Sequence, residues 1–311
     1  MTHNDSVDFK EETPPGPHIP VLSKTLTELI RLPMEGRLVD ATVGHGGHAW
    51  QLGRFLGPEG MILGVDVDPK SIERALLTLN RLPCQVKLVR ENFSRLPQIM
   101  QDSGMDKADV ILADLGFCSG QLDDPKRGLS FQSDMPLDMR LDDRLMTTAA
   151  DLVNRLDQKS LADLIYQYGE DRASRRIARF IVESRKQHPI KTTGQLASIV
   201  SKALYRPGKG GSHRIHPATR TFQALRIAVN DEIGSLRSLL EAAPNLLSPG
   251  GMLAIISFHS LEDREVKINF RQNKTDGIYE ILTKKPLEAN EEEIQANPRS
   301  RSAKLRVARR L

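Results

Sequence analysis

The sequence predicts an α/β fold: an open, doubly wound and mainly parallel sheet that is interrupted by a large helical insertion. Short apolar runs of β character alternate with helical segments over the first part of the chain, which is typical of βαβ units. A glycine-rich turn follows the first run, at the place where such sheets bind ligands. Residues 115–251 hold only loops and helices before the next strand, and this gap indicates the insertion.

Each strand is predicted where an apolar run lies between turn residues. The predicted strands are Arg37–Ala41, Met61–Val67, Val86–Val89, Val110–Asp114 and Met252–Ser257. The predicted helices are Lys24–Leu32, His48–Leu56, Lys70–Leu82, Arg95–Ser103, Lys159–Tyr168, Arg172–Lys186 and Gly194–Leu204. One further long helix is predicted from about Pro217 to Leu247, because its apolar residues recur every three or four positions and form one stripe.

The order of elements also predicts the domains. We expect residues 1–17 to be a disordered tail, residues 18–121 and 216–311 to form the sheet-containing domain, and residues 122–215 to form an inserted all-helical domain. No apolar run is long enough to span a bilayer, and the N-terminus lacks a signal-peptide pattern. Cys84 and Cys118 have no metal-ligand spacing between them. We therefore expect a cytoplasmic protein that holds no metal and binds no membrane.

The basic residues are unevenly distributed along the chain. No acidic residue occurs between Ser184 and Asn230, although lysine and arginine are frequent there. A second basic run, Arg299–Arg310, lies near the C-terminus. Either run alone could be a solvated face, but the two together favour an anionic partner.

The turn after the first strand has the sequence DATVGHGGH, Asp40 to His48, and it opens a helix. Glycine backbone at a helix N-terminus can lie close to a bound ligand. The second strand brings Asp66 to the same edge, where a carboxylate can accept hydrogen bonds from both hydroxyls of a ribose. These two features predict a cofactor that contains adenosine.

Two classes of adenosine cofactor fit this turn. The pattern of dinucleotide enzymes, G-x-G-x-x-G, has Ala49 in place of its last glycine, which the looser form of the pattern tolerates. An NAD-dependent oxidoreductase therefore stays an alternative. Asp40 favours S-adenosylmethionine, because a carboxylate would repel a pyrophosphate but would attract a sulfonium and an ammonium group.

Two further strands end in residues that suit the same site. Phe93 follows the third strand, where its ring could stack on an adenine, although a core position is an equally good interpretation. Asp114 ends the fourth strand, beside the point where the winding of the sheet reverses. Its position indicates that it faces the reaction centre.

Long ordered blocks of the sequence resemble the bacterial MraW/RsmH-type cytosine-N4 methyltransferases of 16S ribosomal RNA. The blocks are HIPVL at His18, DATVGHGGH at Asp40, DLGFCSGQLDDPKRGLSF at Asp114, PLDMRLD at Pro136, IHPATRTFQALRIAVNDEI at Ile215, PGGMLAIISFHSLEDREVK at Pro249 and NPRSRSAKLR at Asn297. The resemblance implies a Rossmann-like, S-adenosylmethionine-dependent methyltransferase domain with an inserted helical domain. It also implies a cytidine in the decoding region of 16S ribosomal RNA as substrate, within the small ribosomal subunit.

The resemblance further implies the residues that contact S-adenosyl-L-methionine. They are Gly46, Gly47, His48, Asp66, Phe93, Asp114 and Gln121. One departure lies after Asp114, where the family usually has V-S-S-P and this chain has Phe117-Cys118-Ser119-Gly120. Glycine in place of proline loosens the backbone there, which leaves the placement of the base less well defined but is not expected to abolish activity.

Methylation of an exocyclic amine needs an acceptor for the amine protons and in-line placement of the reacting atoms, without a covalent intermediate. Asp114 is the candidate catalytic acceptor, but the resemblance places it against the cofactor, and the sequence does not separate these roles. Methylation at cytosine C5 would instead need a cysteine thiolate. Cys84 lies at the wrong end of the sheet for that chemistry, and nothing adjacent to Cys118 would activate its thiol.

A base in folded RNA must leave its stack to be methylated, so we expect a pocket and a grip on the flanking phosphates. The candidates for phosphate contact in the insertion and beside it are Arg175, Arg176, Arg179, Arg206, Lys209 and Arg220. Asp138, Arg140 and His259 are candidates for the pocket, although His259 could equally be bonded to backbone at a strand end. A non-catalytic ribosome assembly factor stays an alternative, and the sequence does not decide between a monomer and a homodimer.

Overall fold

The computed structural model describes residues 20–117, 119–122, 124–205 and 216–311. These residues form one eight-stranded sheet with helices on both faces, and a separate group of helices beside it. The predicted α/β, Rossmann-like fold is therefore confirmed. The tail predicted at 1–17 lies outside the described residues.

The sheet has a parallel part and an antiparallel part. Its strands are β1 (Arg37–Asp40), β2 (Met61–Asp66), β3 (Gln85–Arg90), β4 (Ala108–Asp114), β5 (Leu247–Ser257), β6 (Tyr279–Ile281), β7 (Leu287–Glu288) and β8 (Lys304–Arg310). The order across the sheet is β3-β2-β1-β4-β5-β8-β6, with β7 paired to β8. The first five strands are parallel, in the arrangement of a doubly wound fold whose winding reverses between β1 and β4.

The helices fall into three groups. Those beside the N-terminal strands are α1 (Ser23–Leu29), α2 (Gly47–Gly53), α3 (Pro69–Leu79), α4 (Leu96–Asp102) and the short α5 (Ser119–Leu122). The insertion contains α6 (Ala149–Arg155), α7 (Gln158–Gly169), α8 (Ser174–Arg185), α9 (Thr193–Leu204) and α10 (Thr219–Asn230). The last group comprises α11 (Glu232–Leu246), α12 (Ser260–Thr275) and α13 (Glu291–Ala296).

Each face of the sheet has its own apolar core. Strand residues whose side chains alternate along β1, such as Leu38 and Val39, enter opposite cores. One core is closed by α4, α11 and α12, and the other by α1, α2 and α3. Both faces of β1, β2 and β4 are thus largely buried, which explains their continuous apolar runs, whereas the edge strand β3 exposes Gln85 and Lys87.

A third apolar cluster holds the insertion together. It contains side chains from α6 to α9 and also Ala218, Phe222, Leu225 and Val229 around α10. The sequence analysis assigned α10 to the sheet-containing domain, because the boundary was expected at residue 216. The division into domains stays a prediction, and this packing favours a second boundary near Asp231.

The long helix expected from Pro217 to Leu247 is wrong, because the chain breaks at Asp231. Asp231 has φ 47° and ψ 45°, a left-handed conformation that ends α10 and starts α11 in a new direction. Apolar residues continue with helical spacing on both sides of the break, so periodicity alone could not reveal it. The two helices then serve different cores, with α10 in the insertion and α11 against the sheet.

The C-terminal basic run was interpreted as a surface for an anion, but most of it lies in the sheet. Strand β8 pairs antiparallel with β5 and buries Leu305 and Val307. Arg306 donates to Asp263 on α12 at 2.6 and 3.1 Å, and Arg309 pairs with Glu280 at 3.2 Å. Basic residues in the run are thus neutralised by the protein's own acids. No described helix is both long and apolar enough to cross a membrane.

Arg306→Ala should destabilise the protein, because it leaves the Asp263 carboxylate unpaired against the sheet. The Arg306 side chain is only 9% exposed, so we expect a loss of about 2–4 kcal/mol in the free energy of unfolding. The control Arg309→Ala removes a pair whose side chains are about half exposed and should cost less than about 1 kcal/mol. Equal losses in urea unfolding would contradict the interior role of Arg306.

Candidate functional site

A cavity of about 440 Å³ lies beyond the carboxyl ends of the parallel strands. Its walls come from the turn after β1, from the ends of β2 and β4, and from the start of α11. This is the crevice where doubly wound sheets bind ligands, and its volume lies in the usual range for small-molecule sites. The cavity is therefore the candidate active site.

The three glycines of the turn have different structural roles. Gly44 and Gly46 have φ of 50° and 84°, a conformation that favours glycine. A Cβ on Gly46 would lie 3.3 Å from the Ala75 Cα atom, so this glycine allows α2 to approach α3. Gly47 lines the cavity, but a Cβ there would collide with Pro20 at 2.6 Å. Of the two predicted cofactor contacts, Gly47 borders the cavity and Gly46 supports the turn.

Asp66 lies at the end of β2 and faces the cavity, as predicted. Its two carboxylate oxygens accept hydrogen bonds from the backbone N–H groups of Gly44, at 3.0 Å, and Asp68, at 2.9 Å. Burial raises the pKa of Asp66 to about 6, although both hydrogen bonds oppose this rise. The carboxylate is thus held rigidly at the cavity wall, and a second lone pair on each oxygen can still accept a hydrogen bond.

Asp40 was expected to face a cationic cofactor, but it does not line the cavity. Its side chain is buried beneath the turn and accepts a hydrogen bond from the N–H of Thr42 at 3.2 Å. Burial raises its pKa to about 7, and the nearby charges of Asp114 and Asp66 add to this effect. Any effect of Asp40 on a ligand is therefore indirect, through the field at the cavity.

His48 lies between these carboxylates. Its Nε2 atom is 3.4 Å from Asp114 Oδ2, and both residues line the cavity. Burial lowers the pKa of His48, but the Asp114 carboxylate and the charge of Asp40 outweigh burial, so the pKa lies above its ordinary value. The neighbouring carboxylates thus favour the protonated form of His48.

Asp114 also offers an unused acceptor. Its Oδ1 atom is buried and has no hydrogen-bond partner among the described residues. Its backbone N–H donates to Thr42 Oγ1 at 2.7 Å, which fixes the end of β4 against the turn. A buried carboxylate oxygen without a donor is costly, so Oδ1 is the atom in the cavity best suited to accept a proton from a ligand.

Phe93 and Gln121 complete the cofactor contacts that the resemblance implied. Both line the cavity. Gln121 is buried and donates from Nε2 to Asp68 Oδ2 at 3.2 Å, and Arg127 holds the same carboxylate at 2.8 Å. The structure thus brings Gly47, His48, Asp66, Phe93, Asp114 and Gln121 to one cavity.

The predicted substrate-binding residues do not gather in the same way. Arg140 donates to both carboxylate oxygens of Asp138, at 2.8 and 2.7 Å, and neither residue lines the cavity. Arg220 is exposed on α10 and donates to the carbonyl of Glu170 at 3.2 Å. Arg206 and Lys209 lie outside the described residues. These five residues stay predictions as RNA contacts.

His259 caps α12 instead of lining the cavity. Its Nδ1 atom accepts from the N–H of Glu262 at 3.4 Å, and its Nε2 atom lies 3.2 Å from Glu262 Oε1. Glu262 accepts in turn from the N–H groups of Phe258 and His259, at 2.8 and 3.3 Å. This reciprocal capping box fits the alternative of a strand-end histidine bonded to backbone.

Sequence reasoning missed the wall that faces Asp114. Glu232 and Glu262 line it, and Arg226 donates to both oxygens of Glu232 at 2.8 Å. The Arg226 guanidinium lies over the ring of Phe117, 4.9 Å from its centroid, and that ring also lines the cavity. The break at Asp231 lies directly before Glu232, so this residue of the wall belongs to the junction between α10 and α11.

Glu232, His259 and Glu262 are close enough together to suggest a cation site. Most of their ligand atoms are already engaged, since Arg226 donates to both oxygens of Glu232 and His259 Nδ1 accepts from the N–H of Glu262, while His259 Nε2 lies 3.2 Å from Glu262 Oε1. A cation would have to displace Arg226 from a half-buried ion pair. The arrangement therefore favours a structural role.

Cys84 has no access to the cavity. It is buried in the core formed by α1, α2 and α3, at the amino end of β3, and burial raises the pKa of its thiol. This placement agrees with the sequence argument against a Cys84 nucleophile. Cys118 lies outside the described residues.

Comparisons with known proteins identify relatives over almost the whole chain. The MraW methylase family matches residues 16–311. A protein of Acidobacterium capsulatum named "Ribosomal RNA small subunit methyltransferase H" is 48% identical over 298 residues, 94% of this chain and 97% of its own. One of the same name from a Cyanothece species is 50% identical over 294 residues, 94% and 95% of the two chains.

Solved structures resemble this chain more distantly. An rRNA methylase from Streptococcus thermophilus covers 93% of both chains, with 11% identity and a TM-score of 0.42. The family assignment rests on the sequence matches.

Asp40→Asn should remove a pH-dependent cost of burying a carboxylate. The folded pKa of about 7 lies above the ordinary value of 3.8, so wild-type stability falls as the pH rises towards 7. The variant keeps an acceptor for Thr42, and its stability relative to wild type should increase by about 2–3 kcal/mol between pH 5 and pH 8. Thermal unfolding at both pH values measures this.

The control Asp163→Asn changes an exposed carboxylate on α7 and should shift stability equally at both pH values. An Asp40→Asn difference that does not depend on pH would contradict the assignment.

Proposed function

Because this chain belongs to the MraW methylase family, we propose that it transfers a methyl group from S-adenosyl-L-methionine to N4 of a cytidine in small-subunit ribosomal RNA. The observation that carries the chemistry is the buried, unpartnered Oδ1 of Asp114 in the cavity. The substrate is supported by the names of relatives at 48 and 50% identity. The decoding region as target rests on the resemblance of the sequence blocks.

The residues of the cavity fit the cofactor. Asp66 offers ionisable acceptors for the ribose hydroxyls, Phe93 offers an aromatic face for the adenine, and Gln121 offers a buried amide. The carboxylates of Asp66 and Asp114 at the cavity wall suit cationic groups. When bound, S-adenosylmethionine supplies an electrophilic methyl group. The described residues of the cavity give no comparable support for hydride transfer by an NAD-dependent oxidoreductase.

The residues at the end of β4 suit an amine substrate. As the N4–C bond forms and the S–C bond breaks, the amine must give up one proton to a base. Asp114 Oδ1 can accept a hydrogen bond from the amine and then that proton, while His48 Nε2 lies 3.4 Å from Oδ2 and holds the carboxylate in position. Cys84, the only cysteine that the structure describes, is buried in a core away from the cavity, which fits methylation at nitrogen better than methylation at C5.

One face of the insertion suits the RNA backbone. Arg175, Arg176 and Arg179 are exposed on α8. The last two guanidiniums lie over the ring of Phe180, 5.9 and 5.7 Å from its centroid, and Arg176 also donates to the carbonyl of the exposed Tyr205 at 3.3 Å. Exposed cations beside aromatic rings can contact phosphates and stack on bases. We place the protein in the cytoplasm, with the small subunit.

The direct test is methylation of small-subunit particles and of purified 16S ribosomal RNA by the recombinant protein with isotopically labelled S-adenosylmethionine. Nuclease digestion followed by chromatography and mass spectrometry separates N4-methylcytidine from 5-methylcytidine and from ribose-methylated nucleosides. We expect label in N4-methylcytidine. Label elsewhere would contradict the target atom, and failure to bind the cofactor in calorimetry would contradict the enzyme itself.

Asp114→Asn distinguishes the two roles of Asp114. If the carboxylate accepts the amine proton, kcat should fall about 10²- to 10⁴-fold at saturating cofactor while cofactor affinity changes little. A loss of affinity with kcat preserved would assign Asp114 to the cofactor instead. The control Asp109→Asn changes a carboxylate at the other end of β4, where it binds the Arg37 N–H at 2.8 Å, and should leave kcat unchanged.

A further inference from the structure

The reacting end of the cavity is closed to stacked bases. Asp114 Oδ1 is buried, and the surrounding wall includes Phe117, Glu232 and Glu262. A cytosine can reach this atom only by leaving its stack, because a helix or a stacked loop is too wide to enter. Rotation of a base out of its stack leaves a gap between the neighbouring bases. The loss of stacking contacts raises the free energy of the RNA.

One strongly exposed apolar side chain directly follows a residue of the cavity wall in the chain. Met146 is 90% exposed, the largest fraction among the bulky apolar side chains that the structure describes. The residue before it, Leu145, lines the cavity. Other strongly exposed apolar side chains, such as Met34 at 68% and Leu77 at 69%, have no lining residue as a chain neighbour.

The loop that carries Met146 is fixed on both sides. Before it, Arg140 donates to the carbonyl of Leu145 at 2.6 Å and is itself held by Asp138 at 2.7 Å. After it, Thr148 begins α6 with a reciprocal capping box, in which its backbone N–H and hydroxyl both donate to Asp151. These contacts present an exposed thioether on a rigid support.

The same loop is tied to the cofactor end of the sheet. Asp142 lines the cavity and accepts from Arg144 at 2.8 Å, and Arg144 also reaches Glu91 at the end of β3 at 3.4 Å. Arg90 on β3 contacts Asp142 at 3.7 Å and also pairs with Asp143. The position of Met146 is therefore set relative to the cavity, and a wedge needs such a fixed position.

We propose that Met146 enters the RNA stack and fills the gap that the target cytidine leaves when it enters the cavity. This inference rests on the proposed function. An unbranched, polarisable side chain can slide between bases and contact their faces, as apolar wedges do in proteins that unstack nucleic acids. Arg140 was predicted to line the pocket, and Arg144 had no predicted role. In this proposal, the ion pairs of both arginines hold the wedge in position.

Met146→Ala tests the proposal, with Met146→Leu as the conservative variant and Met34→Ala as a control far from the cavity. On a folded 16S fragment, Met146→Ala should lower kcat/KM about ten- to a hundredfold, because the stack is left open. Leucine should restore most of the activity, and Met34→Ala should match wild type. Cofactor affinity and the melting temperature should be unchanged, since Met146 is exposed and does not line the cavity.

Binding gives a second readout that does not need turnover. In an RNA that carries 2-aminopurine beside the target cytidine, binding of the wild-type protein together with the demethylated cofactor should raise the 2-aminopurine fluorescence, because the stack opens. The Met146→Ala variant should give a smaller rise. An active wild type whose Met146→Ala variant is equally active and gives the same fluorescence would overturn the wedge. A wild type that forms no N4-methylcytidine would instead overturn the proposed function.

Discussion

Parallel pairing of β1 with both β2 and β4 brings three carboxylates to one edge of the sheet, and the site depends on how the mutual repulsion of these groups is reduced. Asp40 ends β1, Asp66 ends β2 and Asp114 ends β4. Burial raises the pKa of the first two, to about 7 and about 6, because little water reaches them. His48, from the helix that the glycine turn starts, lies beside them with its Nε2 atom 3.4 Å from Asp114, and their charges raise its pKa.

The same pairing explains the division of labour within the turn. A carboxylate at the cavity wall can bind a ligand, whereas one beneath the wall changes the field that the ligand meets. Asp66 and Asp114 are of the first kind, and Asp40 is of the second. The glycines follow the same division, because Gly47 borders the cavity and Gly46 lets the helices come close enough to keep the turn in place.

The parallel strands and the cofactor side of the cavity could be predicted from the sequence, since both follow from local patterns. A strand end, a glycine turn and an acid after the next strand lie within a short stretch, and a parallel sheet brings them together. The wall opposite Asp114 could not be predicted in this way. It depends on the left-handed backbone conformation of Asp231, which the apolar periodicity does not reveal. It also depends on the ion pair between Arg226 and Glu232.

The C-terminal strand β8 shows a second limit of sequence reasoning. Its arginines suggested a surface for an anion, because charge was counted without its partners. Arg306 lies within the sheet and is neutralised by Asp263, an interaction between residues 43 positions apart. Strand propensity is weak evidence when more than half of the side chains are charged, so this element is defined by its antiparallel partners β5, β6 and β7.

The break at Asp231 has a mechanical meaning. Helix α10 is anchored in the core of the insertion and α11 in a core of the sheet, and their junction lies in the cavity wall between Asn230 and Glu232. Any tilt of one packing unit against the other must change the shape of the cavity at this junction. A force applied to the insertion, by whatever it holds, therefore reaches the cavity wall at this corner.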